Sequence, residues 1–345
     1  MIKVLIVDDS AVARELIEHV LGANPEIEVV GRVRNGLEAI DFLECHRPDV
    51  ITMDVQMPGM DGFETTRRIM TEHPVPVVIV TAMLDPQADS AIFRTLEAGA
   101  LVILQKPPGV GHPDHTRAAA ELLQTVRLMS EVRVVRRFIR QATAQTRLPP
   151  DQHAAAPTVK AVAIGASTGG PVVVRSILAS LPVDFPVPLL VVQHMADGFI
   201  SGFADWLDNS SAIRVKLGEQ GEGLSPATAY VAPGGLEMGV DESGRISLKP
   251  GQQGQSLCPS VSYLFHSMAQ RFGKHAIGII LSGMGSDGAQ GLKEMRDRGA
   301  VTIAQDEESS VIFGMPAVAI RLDAARHVLP PEGIIALLNG MVRKR

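Results

Sequence analysis

The sequence predicts two doubly wound α/β domains in series, and three observations predict it. Short apolar runs alternate with stretches of helix-like apolar spacing over residues 1–110, and a second such series runs over residues 159–345. The length, 345 residues with 46% hydrophobic and 20% charged, suits two cores of ordinary size, neither of which needs a disulfide or a structural metal. Between the two series, Thr143–Thr158 is rich in Ala, Pro, Gln and Thr, the composition of a flexible linker.

The elements follow in order. Ile2–Val7, Glu28–Val33, Asp49–Met53, Pro76–Val80 and Ala100–Leu104 read as buried strands, with helices expected at Ala11–Leu21, Gly36–Cys45, Gly62–Met70 and Gln87–Ala98. Five strands alternating with helices predict a parallel sheet. A long helix is expected from about His115 to Gln141. In the second series Lys160–Gly165, Pro188–Gln193, Ile213–Leu217, Ala229–Val231, His275–Leu281 and Ala300–Ala304 read as strands. Leu236–Pro250, with Asp241-Glu242-Ser243-Gly244 at its middle, reads as a hairpin. The expected organisation is a domain over 1–125, a helical and flexible segment over 126–158, and a second domain over 159–345. That second domain carries a mostly parallel sheet with a β-hairpin and Rossmann-like layering.

Composition excludes several classes. Cys45 and Cys258 lack partners at metal-ligand spacing, which suits a reducing compartment. Met1-Ile2-Lys3 leads straight into a strand-like run, and no apolar stretch approaches the roughly 18 residues of a membrane helix. The expectation is a cytoplasmic protein without membrane insertion. Formal charge is −9 over residues 1–125, +5 over 126–160 and −2 over 161–345. Nucleic-acid binding needs a basic face on a folded domain, and neither large block supplies one.

In an open parallel sheet the carboxyl ends of the strands form the site edge. In the first domain those ends carry Asp8-Asp9, Asp54, Thr81 and Lys106-Pro107. Clustered carboxylates repel unless a cation shares the site, and hard oxygen ligands with room for water suit Mg²⁺. One Asp in such a cluster can accept a phosphoryl group, with Lys106 and the metal neutralising its oxygens and Thr81 hydrogen-bonding one of them. The simpler reading, that Asp8 and Asp9 cap the first helix, explains one strand end and not four.

Val7-Asp8-Asp9-Ser10, Asp54-Val55-Gln56-Met57-Pro58-Gly59-Met60-Asp61-Gly62, Thr81-Ala82 and Lys106-Pro107 closely resemble the receiver domain of bacterial response regulators, over roughly residues 1–125. The resemblance implies that Asp54 is the phosphoacceptor and that Asp9, Asp54 and the backbone carbonyl of Gln56 bind Mg²⁺, with Asp8 assisting. It also implies a histidine kinase as phosphodonor. The position three before Lys106, usually aromatic in that family, is Ile103.

In the second domain Gly165-Ala166-Ser167-Thr168-Gly169 matches Gly-x-Ser-x-Gly, where small neighbours permit a sharp strand-to-helix turn that projects a serine hydroxyl. A Gly-rich nucleotide turn looks similar, and on this motif alone hydrolase and nucleotide site stand level. A nucleophilic serine needs a base, and the base an orienting acid. His194 directly follows the run Leu189–Gln193, and Asp287 lies in the Gly-rich segment after the strand ending at Leu281. Ser167, His194 and Asp287 are thus all expected just beyond strand ends. For Asp287 the rival reading is an N-cap of the helix through Met295, and the rival acid is Asp306.

Gly165-Ala166-Ser167-Thr168-Gly169-Gly170, Gln193-His194-Met195, Tyr230-Val231-Ala232-Pro233-Gly234, Gly283-Met284-Gly285-Ser286-Asp287-Gly288 and Phe313-Gly314-Met315-Pro316 resemble the CheB-type protein-glutamate methylesterase domain. Receiver followed by esterase is that family's own order. The resemblance implies the triad Ser167, His194 and Asp287, no cofactor for the esterase, and the Met284 backbone N–H in the oxyanion hole; the helix N-terminus just behind Ser167 is expected to add the backbone N–H of Thr168. Where that family usually reads Arg-Pro-Ser-Val-Asp, this chain has Cys258-Pro259-Ser260-Val261-Ser262. The function implied is phosphorylation-activated hydrolysis of glutamate γ-methyl esters on chemoreceptor cytoplasmic helices, releasing methanol, together with deamidation of glutamines. Two other classes compete: a DNA-binding response regulator, and a receiver joined to a non-esterase binding or scaffolding module.

Overall fold

The apolar runs of the first unit become a five-stranded parallel sheet because β-branched and aliphatic residues dominate them and can be buried on both faces of a strand, while Lys3, Glu28, Arg32 and Gln105 stay exposed. The computed structural model describes residues 1–82, 89–132, 159–251 and 258–342, and the chain divides into two units, Met1–Gln141 and Ala142–Arg345. In the first unit the strands are β1 (Ile2–Val7), β2 (Ile27–Val33), β3 (Val50–Met53), β4 (Val77–Thr81) and β5 (Val102–Gln105), in the order β2-β1-β3-β4-β5. All five residues of β4 and all four of β3 are buried. Helices α1 (Ala11–Gly22), α2 (Gly36–Cys45), α3 (Gly62–Glu72), α4 (Asp89–Ala98) and α5 (His115–Met129) connect them or follow them.

The starts of these helices were written locally. Ser10, Asn35 and Asp61 each accept, through the side chain, a backbone N–H of the first turn of α1, α2 and α3. Two expectations shift. Strand β5 begins at Val102 rather than Ala100 because the Ala100 N–H is taken by the Thr95 carbonyl, closing the end of α4. The long helix expected to Gln141 ends at Met129: the Ser130 hydroxyl turns back to donate to the Arg127 carbonyl, and the next N–H groups make turn bonds. Residues 133–141 and the expected linker 143–158 lie outside the described residues. Helix α5 crosses the boundary expected at 125 with Leu122, Val126 and Met129 all buried, packed against α1 and β4.

The second unit holds a seven-stranded sheet in the order β14-β13-β12-β6-β7-β9-β8, every pair parallel. Its strands are β6 (Ala161–Ala166), β7 (Leu189–Gln193), β8 (Arg214–Leu217), β9 (Thr228–Val231), β12 (Ala276–Ile280), β13 (Val301–Gln305) and β14 (His327–Leu329). The hairpin is present as a separate antiparallel pair, β10 (Leu236–Val240) with β11 (Ile246–Pro250), in a register that opposes Leu236 to Pro250. Helices α6 (Gly170–Ala179), α7 (Ile200–Ser210), α8 (Val261–Phe272), α9 (Ala289–Asp297), α10 (Met315–Arg321) and α11 (Pro331–Val342) complete it. Strand β14 has no counterpart among the expected strands. It is three residues long, too short to show a period, and exists by pairing with Ile303–Gln305 of β13.

Helix α8 rides directly on the sheet. A Cβ at Gly165 of β6 would lie 2.1 Å from Val261 Cγ1, so only glycine lets the first residue of α8 reach the backbone of the strand that precedes Ser167. Among the described residues no helix is long and apolar enough to cross a membrane.

Both sheets reverse strand order beside their first strand, at β1/β3 in one unit and at β6/β12 in the other. Such a switch point splays the following loops apart and leaves a crevice beyond the carboxyl ends of the strands. Chemistry is expected there in each unit.

Candidate functional site

At the first switch point, β1 delivers Asp8 and Asp9 and β3 delivers Asp54. Oxygen atoms of these three carboxylates lie within 4.8 Å of one another, with Asp8 and Asp54 buried and Asp9 exposed. Lys106, just past β5, places Nζ 2.7 Å from Asp8 Oδ2 and 2.7 Å from Asp54 Oδ2. The Lys106 N–H bonds the carbonyl of Thr81, which is itself buried at the end of β4. Burial raises the pKa of Asp8, and Lys106 opposes that shift without cancelling it. Burial also works against the charge on Lys106, but hydrogen bonds to Asp54 and Asp8 outweigh it and hold the ammonium above its ordinary pKa. Asp54 Oδ1 accepts its neighbour Val55's N–H. Gln56 lies two residues further on with its side chain exposed, and Ile103 sits in β5 opposite Ile79 of β4.

Three carboxylates against one ammonium leave an excess of negative charge in a partly buried rim. The donor set is all hard oxygen, with one exposed member open to water. That combination fits a small divalent cation such as Mg²⁺.

The second site is laced together by backbone before any side chain is considered. The Ser167 N–H bonds the Ser282 carbonyl at 3.0 Å, and the His194 N–H bonds the Ala166 carbonyl at 2.9 Å. The loops after β6, β7 and β12 are thus held edge to edge. Gln193, the last residue of β7 and 1% exposed, donates its amide to the carbonyls of Ser167 at 2.9 Å and His194 at 3.0 Å. The Ser282 hydroxyl donates to the Thr168 carbonyl at 2.7 Å. Gly283 lies against the serine itself: a Cβ there would come within 2.6 Å of Ser167 Cβ and 2.4 Å of Met315 Sδ. This approach carries Met284 and Asp287 to the same crevice.

His194 Nε2 meets Asp287 Oδ2 at 3.0 Å, with both side chains largely buried. Asp287 also accepts the Val261 N–H at 2.7 Å, the Ser262 N–H at 3.0 Å and the Ser260 hydroxyl at 3.0 Å. Burial works to raise its pKa, but the hydrogen bonds from His194 and Ser262 prevail and hold the carboxyl well below the usual range. The acid paired with His194 is therefore Asp287. The rival, Asp306, is occupied in its own loop, accepting from the N–H and hydroxyl of Ser309. The capping alternative for Asp287 holds in an altered form. It serves a helix N-terminus, but that of α8 across the site; α9 begins after Gly288 with no side-chain cap.

Among the described residues no hydrogen bond joins the Ser167 hydroxyl to His194. The structure joins base to acid, and ties the serine to both through main chain. Sequence reasoning assigned no task to Gln193, Ser260, Ser282 or Glu237. The available signal was polarity at buried positions next to strand ends: Gln193 closes an otherwise aliphatic strand, and Ser282 follows another.

Comparison with known proteins agrees with both halves. The CheB methylesterase family matches residues 162–338, and the response regulator receiver domain matches residues 4–112. A protein-glutamate methylesterase/protein-glutamine glutaminase of Geobacter metallireducens is 49% identical, with all of each chain covered. A relative of the same name from Syntrophus aciditrophicus is 49% identical, covering 98% of this chain and 97% of its own. The crystal structure of the Thermotoga maritima CheB methylesterase catalytic domain, 37% identical, covers 54% of this chain and 100% of its own length with a TM-score of 0.52. By both sequence and fold the chain belongs to the CheB methylesterase family, with a response regulator receiver domain ahead of the methylesterase domain.

Proposed function

We propose that this chain is a cytoplasmic esterase that hydrolyses glutamate γ-methyl esters on the cytoplasmic helices of chemoreceptors, deamidates glutamines there, and is switched on by phosphorylation of Asp54. The observation that carries the esterase reading is the His194–Asp287 pair at 3.0 Å on the rim that also carries Ser167. Its polarity matters. Because Nε2 faces Asp287, the nitrogen left to take the serine proton is Nδ1. Asp287 selects that tautomer and stabilises the imidazolium once it forms.

Ser167 Oγ gives its proton to His194 Nδ1 and attacks the ester carbonyl. The N–H groups of Thr168 and Met284 receive the oxyanion. His194 returns the proton to the departing methoxide, which leaves as methanol. Water, deprotonated by the same imidazole, then releases the acyl group as glutamate. A glutamine amide follows the same course and releases ammonia. These steps need no cofactor in the esterase domain.

In the receiver domain Asp54 is the phosphoacceptor. Mg²⁺ would be held by Asp9, Asp54 and the Gln56 carbonyl, with Asp8 assisting, and when bound it neutralises charge on the incoming phosphoryl oxygens. Lys106 neutralises a further oxygen, and the Thr81 hydroxyl donates to another. A histidine kinase supplies the phosphoryl group. In this reading the receiver expected over 1–125 extends through the end of α5 at Met129, a connecting segment runs on to 158, and the esterase domain covers 159–345.

The test is methanol release from a methyl-esterified receptor fragment. Full-length protein releases methanol, Ser167→Ala and His194→Ala do not, and a small phosphodonor with Mg²⁺ raises the full-length rate. Release by Ser167→Ala at the wild-type rate refutes Ser167 as the nucleophile, and no release by the wild type refutes the esterase reading in favour of a binding module. A rate indifferent to the phosphodonor refutes the control.

A further inference from the structure

Glu237, on β10, is 3% exposed and has no part in the steps above. Its Oε2 accepts the Ser260 N–H at 2.7 Å, and its Oε1 is buried with no hydrogen-bond partner. Ser260 is the N-cap of α8, and its hydroxyl donates to Asp287 while the next two N–H groups, of Val261 and Ser262, also go to Asp287. Two carboxyl groups from outside the helix thus share the first turn of α8. Glu237 takes the first backbone donor and Asp287 the second and third.

We propose that Glu237 is a positioning residue of the esterase: by fixing the first turn of α8 it sets the donors that orient Asp287 against His194. The inference rests on the reading of Ser167, His194 and Asp287 as a triad.

The two carboxyls are not equivalent. Asp287 has three donors from α8 besides His194, enough to hold a buried anion. Glu237 has one backbone donor, and the titratable groups facing it are Asp287, His194 and the Cys258 thiol. Burial raises its pKa, and the charge of Asp287 adds to that effect. Glutamine keeps the shape and an oxygen that can accept the Ser260 N–H, whereas leucine has the bulk without the acceptor.

The experiment measures kcat and KM for methanol release from a methyl-esterified receptor fragment, using the full chain and its Glu237→Leu and Glu237→Gln variants. Glu237→Leu should lower kcat about tenfold, the scale of one misaligned hydrogen bond, with KM unchanged within about twofold. Glu237→Gln should recover most of the loss. The downfield proton resonance of the His194–Asp287 bond should move in the leucine variant and return in the glutamine variant. If Glu237→Leu does not fold, Glu237→Asp, one methylene short of the Ser260 N–H, takes its place in the same comparison. Wild-type kcat in the leucine variant, or equal impairment in the glutamine variant, overturns the proposal. An inactive Ser167→Ala beside an unimpaired Glu237→Leu overturns this inference alone, while an active Ser167→Ala overturns the triad reading beneath it.

Discussion

Replacing Asp287 by alanine should cost stability as well as rate, which separates it from the other two proposed triad positions. The side chain accepts two first-turn N–H groups of α8, at 2.7 and 3.0 Å, and those groups have no intrahelical partner to fall back on. Ser260's hydroxyl and His194 can turn to water, but a backbone N–H held against the sheet turns only with the helix. Each donor left unpaired costs about 1–3 kcal/mol, so about 2–4 kcal/mol is expected for the two, allowing for some entry of water. In a domain of this size that lowers the melting temperature by about 5–15 °C. Ser167→Ala removes one hydroxyl that makes no hydrogen bond among the described residues, and should melt with the wild type. Rate should fall by several powers of ten in both. The assay is calorimetry of the full-length proteins, following the transition of the second unit. An Asp287→Ala protein that loses activity but melts with Ser167→Ala would falsify the clamp on α8. The pH dependence gives a second check. Asp287 is held below its unfolded value of 3.8, so its contribution is complete above that pH and is lost as pH falls through and below it. The melting gap between wild type and Asp287→Ala should therefore narrow on acidification below about pH 4.

Three further outcomes are expected. Asp54→Asn should abolish labelling of the full chain by a small phosphodonor, and removal of divalent metal should abolish labelling of the wild type; phosphate incorporated in either case contradicts the phosphoacceptor assignment. Gly283→Ala should depress esterase rate strongly while costing about 1–3 kcal/mol, because its Cβ would lie 2.6 Å from Ser167 Cβ and one of the two must shift; unchanged kinetics would show that the loop relaxes freely. Gln193→Leu, which leaves the carbonyls of Ser167 and His194 without their shared donor, should lower kcat more than it alters KM, measured by methanol release.

Much of the architecture is a property of short stretches of chain. A run such as Val77–Thr81 reads as an interior strand from its length and its β-branched residues, and all five of its residues are buried. Ser10, Asn35 and Asp61 mark their helix starts within three residues. The strand-end motifs were legible for the same reason: a parallel α/β sheet exposes the carboxyl end of each strand, so the residue after each run announces its own place on the rim. Asp8, Asp54, Lys106, Ser167 and His194 were all readable in that way.

What tertiary structure alone decided joins residues far apart in the chain, where no local pattern reaches. The family resemblance named Asp287 ahead of its rival Asp306, but the contact itself spans 93 positions and comes about because β12 lies between β6 and β13. Strand β14 exists only because β13 offers it an edge. The start of α8 shows the limit most clearly. Ser260-Val261-Ser262 reads locally as one more helix cap, yet its donors are divided between Glu237, 23 positions earlier, and Asp287, 25 to 27 positions later. Periodicity and turn chemistry are set by neighbours a few residues apart, so they specify elements and their ends. Which buried carboxyl satisfies which orphan N–H is settled only when the elements pack, because the cost of leaving either group unpaired arises only once water has been excluded from both.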